Sequence, residues 1–297
     1  MTSLDQLLPD VSALDSALTS RGYLTDQGLA TALFCAVRLP QPLLLEGEAG
    51  VGKTEAAKAL AAALDTPLIR LQCYEGIDAG EALYEWNYTR QLLAIRLAEA
   101  RGDHLADDDM FTEAYLTERP VLAALRHPGP RPAVLLIDEI DRADDEFEAF
   151  LLEVLAEQSV TIPELGTQVA THPPIAILTS NRTRDLHDAL KRRCLYHWID
   201  YPTTARTTQI IRARVPEAQQ SLAEHVAAAV ARIRSLDVQK PPGIAEAIGW
   251  VDALHLLGFD VLTEEAAALT IGSVLKYRED TDVLAERSMA WLVGSDA

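Results

Sequence analysis

Gly47-Glu48-Ala49-Gly50-Val51-Gly52-Lys53-Thr54 stands between an apolar run, Pro42-Leu43-Leu44-Leu45, and an alanine-rich stretch that ends near Leu64. Its glycines free the backbone for conformations that a side chain forbids, so successive N–H groups can turn inward on an anion. The run before it reads as a strand and the stretch after it as a helix, whose unpaired N-terminal N–H groups and dipole add to the attraction. The stretch is therefore a phosphate cradle. Gly47, Glu48, Ala49, Gly50, Val51, Gly52, Lys53, Thr54 and the helix-opening Glu55 are expected to wrap the phosphates of ATP. Lys53 would reach the β- and γ-phosphates, and Thr54 would give its hydroxyl to Mg²⁺. A glycine-rich turn with an exposed lysine is the plainer reading, but it leaves both the eight-residue pattern and its strand–loop–helix setting unexplained.

The second half of such a site is an apolar strand that ends in acids, and Ala133-Val134-Leu135-Leu136-Ile137 followed by Asp138-Glu139 has that form. Asp138 would hold Mg²⁺ through water, and Glu139 would polarise the water that attacks the γ-phosphate. Asn181 ends a further buried strand, Pro174 to Thr179, expected between the other two, so its amide would orient the same water. Arg192 and Arg193 lie too far along the next short helix to serve their own subunit. A ring of subunits would point them into a neighbour's site, where an arginine in trans supplies about 10³- to 10⁵-fold in rate. The competing reading of that pair is a basic helix end balancing its dipole.

The remaining chain is organised around these parts. Residues 1 to 20 read as a loosely attached helix, and a second helix, with Thr25 as its cap, ends at Leu39-Pro40. Leu68 to Cys73 is the second strand. Roughly sixty residues then precede Ala133, more than a single crossover requires, so an insertion at about 75 to 130 is expected. It would carry a helix over 83 to 100, an exposed loop around Asp107-Asp108-Asp109 and a helix over 115 to 126. Its aromatics Tyr74, Tyr84, Trp86 and Tyr88 either face a partner or pack the insertion's own core. Residues 159 to 171 read as a hairpin with Val160 and Ile162 opposite Val169. Tyr196 to Asp200 is the last strand. Beyond Pro202 everything is helical, over 204 to 214, 216 to 236, 243 to 257, 263 to 275 and 282 to 293. The expected domains are thus 1–202, an α/β nucleotide-binding domain, and 203–297, a small all-α domain.

Composition narrows the partners. The 297 residues carry a formal charge of −19, which opposes general nucleic-acid binding unless the few basic residues share one groove. Hydrophobic residues make up 48%, enough for a packed core. Cys35, Cys73 and Cys194 form no C-x-x-C pair and are expected as buried reduced thiols. Asp5, Asp10 and Asp15 precede the first basic residue, Arg21, and no apolar run approaches the ~20 residues of a membrane span. A cytoplasmic protein without a membrane span is expected.

Taken together, Gly47 to Thr54, Val134 to Glu139, Ser180-Asn181, Lys191-Arg192-Arg193-Cys194 and the helical tail resemble an AAA+ ATPase. The insertion and the hairpin are similar to the MoxR family within it. Leu71-Gln72-Cys73-Tyr74-Glu75-Gly76-Ile77-Asp78, Leu83-Tyr84-Glu85-Trp86-Asn87-Tyr88, Ser180 to Asp185 and Leu190 to Tyr196 resemble its CoxD-like branch. The resemblance covers about residues 20 to 260. It implies a P-loop αβα core with a parallel sheet of order 5-1-4-3-2, an all-α lid and a Mg²⁺-dependent ATPase working as a hexamer. It also implies a partner with a von Willebrand factor A domain and a client metalloenzyme, a molybdenum hydroxylase such as carbon monoxide dehydrogenase. Arg193 matches the family's arginine finger. One departure stands out: the lid arginine usual at the start of the third lid helix is absent, and Pro242-Gly243-Ile244-Ala245-Glu246 occupies its place.

Two functions of different class follow. In one, hydrolysis moves the lid and remodels a client. In the other, a slow-turnover ATP-bound adaptor scaffolds assembly, as the missing lid arginine suggests. A small-molecule kinase fits the loop alone and explains neither the Asn181 strand nor the helical tail.

Overall fold

The computed structural model describes residues 4–102 and 107–295, so part of the loop expected after Gly102 and the first three residues of the N-terminal helix lie outside it. In chain order the elements are α1 (Leu4–Leu7), α2 (Val11–Thr19), α3 (Gln27–Arg38), β1 (Leu43–Gly47), α4 (Lys53–Leu64), β2 (Leu68–Gln72), α5 (Ala79–Leu83), β3 (Tyr84–Trp86), α6 (Tyr88–Arg101), β4 (Leu116–Glu118) and α7 (Pro120–Leu125). There follow β5 (Val134–Asp138), α8 (Asp145–Glu157), β6 (Ser159–Ile162), β7 (Gly166–Val169), β8 (Ile175–Ser180), α9 (Asp188–Arg193) and β9 (Leu195–Ile199). The tail holds α10 (Thr204–Arg214), α11 (Gln220–Arg234), α12 (Ile244–Leu256), α13 (Glu264–Thr270), α14 (Arg278–Ala285) and α15 (Met289–Val293). Among the described residues no helix is long and apolar enough to cross a membrane.

Two compact units result. One is formed by 1–21, 25–46 and 54–198, the other by 22–24, 47–53 and 199–297. The first is built on a five-stranded sheet of order β2-β5-β8-β1-β9; numbering only these strands along the chain gives 5-1-4-3-2. β1 pairs with β8, β8 with β5 and β5 with β2, all parallel. Every residue of β1, β5 and β8 is buried, because parallel strands are covered on both faces, and this is why they read as unbroken apolar runs. A core of Leu44, Leu71, Leu135, Ile137, Phe147, Leu151 and Leu178 packs against the sheet. The second unit packs its helices around Trp250, whose indole N–H donates to Thr270 Oγ1 at 2.7 Å.

Several expectations are corrected. α2 is firmly seated, with Leu14 and Leu18 fully buried and Asp10 capping it through Ala13 N–H. Asp26, not Thr25, caps α3, because the Thr25 hydroxyl is turned to Asp15. The two helices expected in the insertion are present as α6 and α7, but each starts later than expected, because β3 and β4 take the residues before them and pair antiparallel, Trp86 against Leu116. Trp86 is buried edge-on to Phe111 at 5.3 Å, in a cluster that also contains Leu122 and Ile162 of β6. Trp86 is therefore core, whereas Tyr88 is 63% exposed. In the β6–β7 hairpin Val169 faces Ser159 and Ile162 faces Gly166, since the turn closes through Leu165 N–H on Ile162 O. The last expected helix is two, α14 and α15, and α14 opens at Arg278, before the expected start. There the buried Asp280 accepts from Gln239 N–H at 2.7 Å and Lys240 N–H at 3.2 Å. Cys73 is buried, but Cys35 and Cys194 are only partly so.

Candidate functional site

β5 delivers Asp138 to the carboxyl edge of the sheet, where it is 3% exposed. A carboxylate so enclosed must be paired or fully hydrogen-bonded. The Thr54 hydroxyl donates to its two oxygens at 3.1 and 3.2 Å, across 84 residues of chain. Thr179 Oγ1 donates to Oδ1 at 2.5 Å. Arg70 forks onto Oδ2 through Nε at 3.0 Å and Nη2 at 2.6 Å. Thr54 and Asp138, the two residues expected at Mg²⁺, are thus brought together. Arg70 is a site residue that sequence reasoning missed. The available signal was a polar pair, Arg70 and Gln72, spaced two apart in an otherwise apolar strand and so sharing one face.

Glu139 leaves the strand at a φ of 56°, a left-handed conformation uncommon outside glycine and one that clusters at functional positions. Its N–H donates to Thr179 Oγ1 at 2.9 Å, so one buried hydroxyl fixes both acids. Its carboxylate accepts from Gln72 Nε2 at 3.1 Å and Arg142 Nη1 at 3.2 Å, both on Oε2. Oε1 remains open among the described residues, as an acceptor of a water proton requires. Asn181 directly follows β8, which lies between β1 and β5 in the sheet. Its backbone N–H donates to Asp141 Oδ2 at 3.2 Å. The Cys73 thiol is pushed up to about 12, first by burial and then by Asp138, Asp141 and Glu139. It is therefore held as an inert thiol.

α9 ends in Lys191, Arg192 and Arg193. Lys191 pairs with Asp185 at 3.7 Å. Arg192 and Arg193 are exposed and, among the described residues, their side chains have no hydrogen-bond or ion-pair partner.

The other unit contains the loop Gly47–Lys53. Gly50 and Gly52 take φ of +76° and +101°, the left-handed turns that an inward-facing run of N–H groups needs. Lys53 is 7% exposed and donates through Nζ to Gly47 O at 2.7 Å and Glu48 O at 2.8 Å, so the lysine is held over its own loop. Tyr23 donates its hydroxyl to Gly52 O at 3.2 Å. The first turn of α12 rests on this loop. Ile244 N–H donates to Gly50 O at 2.8 Å, and a Cβ on Gly243 would lie 2.7 Å from Gly50 Cα, too close for any side chain. Glu246 caps that turn by accepting from Gly243 N–H at 3.0 Å. Arg234 lies 4.2 Å over the Tyr201 ring and donates to Pro242 O at 2.7 Å; burial holds its pKa below the usual guanidinium value. The loop's left-handed glycines and cationic lysine fit a triphosphate. The Thr54–Asp138 pair fits the divalent ion that accompanies one.

Residues 42–194 match the family described as AAA domain (dynein-related subfamily). An uncharacterised protein of Staphylococcus haemolyticus is 28% identical over 178 residues, 58% of this chain and 59% of its own length. One of Staphylococcus aureus strain USA300 is 26% identical over the same extent. The chain thus spans about three fifths of the curated relatives it matches. Among solved structures, the Thermotoga maritima RuvB Holliday junction branch migration motor is similar at a TM-score of 0.46 and 18% identity, over 91% of this chain and 71% of that one. A variant of the same motor gives 0.48 and 19%, over 91% and 72%.

Proposed function

Since the chain belongs to the AAA family, in its dynein-related subfamily, we propose that it couples Mg²⁺-dependent ATP hydrolysis in a ring of its own copies to the remodelling of a client protein. Nucleotide-hydrolysing AAA+ chemistry is the family's common ground. Gly47 to Lys53 hold the phosphates, with Glu48, Ala49 and Val51 contributing backbone N–H groups and Glu55 opening the helix behind them. Thr54 and Asp138 hold Mg²⁺, which when bound neutralises charge on the β- and γ-phosphates. Glu139 takes the proton of the attacking water, Asn181 orients that water, and Arg193 of one copy completes the site of the next. The observation that carries this reading is the hydrogen bond between Thr54 and Asp138, which joins the end of the phosphate loop to the acidic strand end.

The finer placement, a CoxD-like member of the MoxR family acting with a von Willebrand factor A partner on a molybdenum hydroxylase, rests on the sequence resemblance. Its lever would be the insertion together with the hairpin. The insertion and the hairpin share the Trp86–Leu122–Ile162 cluster and so are packed into one piece. On that piece α6 buries only Gln91 and exposes Tyr88, Leu92, Leu93 and Leu97 beside Arg90, Arg96 and Arg101. Such a face suits an apolar, acidic client segment. The adaptor reading keeps one supporting observation, that Glu246 stands at the start of α12 where a lid cation is usual.

Glu139→Gln tests the assignment. It is expected to leave ATP bound and lower turnover by at least about a hundredfold, within the range for loss of a general base. Turnover near the wild-type rate would reject Glu139 as the base.

A further inference from the structure

We propose that Asp141 is a positioning residue for hydrolysis, a clamp that fixes Asn181 relative to the turn carrying Glu139; this rests on the reading of Asn181 as the water-orienting amide. Asp141 sits in the single turn Ile140–Arg142 that begins at the left-handed Glu139. That turn is closed by Arg142 N–H on Glu139 O and Ala143 N–H on Ile140 O, both at 3.0 Å. The Asp141 side chain is 3% exposed. Its Oδ2 accepts from Asn181 N–H at 3.2 Å, Thr183 N–H at 2.9 Å and the Thr183 hydroxyl at 2.7 Å.

The loop is shaped for that carboxylate. Arg182 takes a φ of 57° between the two donating residues, which turns both N–H groups toward one oxygen. Meanwhile Arg182 N–H itself is held by Ser180 Oγ at 3.0 Å. No cation contacts Asp141 among the described residues, and its buried Oδ1 has no hydrogen-bond partner there. A buried charge balanced only by loop dipoles is costly, and a neutral side chain would fill the space more cheaply. What the side-chain oxygen does here that an apolar residue would not is draw three donors of one short loop onto a single point. Asn181 is the first residue of that loop, and its side chain is useful only if held to within about 0.5 Å of its working position.

The test is a double-mutant cycle on the full chain. ATP turnover, binding of a fluorescent ATP analogue and thermal melting are measured for Asp141→Ala, Asn181→Ala, their combination and Asp141→Asn. Asp141→Ala is expected to lower kcat by about ten- to a hundredfold, as for a misplacement of about 1 Å, with KM and analogue binding within about twofold. Asp141→Asn, which keeps an oxygen acceptor, recovers most of the rate. In the Asn181→Ala background Asp141→Ala adds less than about twofold, because the clamp then has nothing to aim. Multiplying losses, a loss shared equally by KM, or an Asp141→Asn variant as slow as Asp141→Ala would overturn the clamp. If Asp141→Ala fails to fold, Thr183→Val removes one donor and the same non-additivity is required of it. If Asn181→Ala alone is harmless, the reading of Asn181 fails and takes the clamp with it. If Asn181→Ala is slow while Asp141→Ala is fast, only the clamp is lost.

Discussion

Thr179→Val should damage stability and turnover together, because one hydroxyl serves both acids of the site. It donates to Asp138 at 2.5 Å and accepts from Glu139 N–H at 2.9 Å, in a residue only 1% exposed. Losing a hydrogen bond to a charged group costs about 1.5–3 kcal/mol, and leaving the Glu139 N–H without an acceptor about 1–3 kcal/mol more. The losses overlap, since Asp138 keeps Thr54 and Arg70, so about 3 kcal/mol is a reasonable total. At about 2–4 °C per kcal/mol for a domain of this size, the melting temperature should fall by roughly 6–12 °C. If about half of the loss is felt in the transition state through Glu139, turnover falls about tenfold. Thr179→Ser keeps the hydroxyl and loses one methyl, worth about 0.8 kcal/mol, so it should stay near wild type. Thermal melting and steady-state ATP turnover on the three proteins read both effects. A valine variant that melts within about 2 °C of wild type and turns over normally, or a serine variant that falls as far as valine, would refute the shared-hydroxyl argument.

Arg193→Ala should abolish turnover but not nucleotide binding, and mixing it with Lys53→Ala protein should restore some activity; an inactive mixture would argue against a site completed by a second copy. Arg70→Ala removes the fork on Asp138 and should lower the melting temperature without nucleotide, while Mg²⁺ with ADP raises it by more than in wild type; equal increments would mean that Arg70 does not balance the acid proposed to hold the metal. Burial raises the Cys73 thiol from 9.0 to about 12, so the folded protein holds a proton that the unfolded chain releases between those values. Stability from this group is accordingly complete below pH 9 and declines as pH rises toward 12, and Cys73 should resist iodoacetamide at pH 8 until the protein is denatured. Rapid labelling of the native protein, located by peptide mapping, would contradict that.

The core was legible because its signals are local. Leu43 to Leu45, Val134 to Ile137 and Ile175 to Leu178 are unbroken apolar runs, and each is followed at once by the residues that give the site its chemistry. Features set by distant pairing were not. β3 and β4 are three residues each and meet across about thirty residues of chain, too short for alternation to register. The hairpin register depended on whether the turn closed at Ile162 or one residue later, and Gly166, at a φ of +76°, decided it. Arg70 and Asp141 were invisible as partners because nothing in Leu68-Ile69-Arg70 or Ile140-Asp141-Arg142 says which loop or acid will face them. Trp86 and Tyr88 look alike in sequence, yet the first fills the insertion and the second faces solvent.

The contact between Gly50 and Ile244 bears on a chain that lacks the customary lid arginine. The carbonyl that accepts from Ile244 belongs to the same peptide group as the Val51 N–H. A phosphate oxygen drawing on that N–H would pull electron density through the amide and make the carbonyl a better acceptor, by about 10–30% for linked hydrogen bonds. Occupancy of the loop would then be felt at the root of α12 through main chain, and a substitution would silence it only by parting Gly50 from Ile244, as a side chain on Gly243 would.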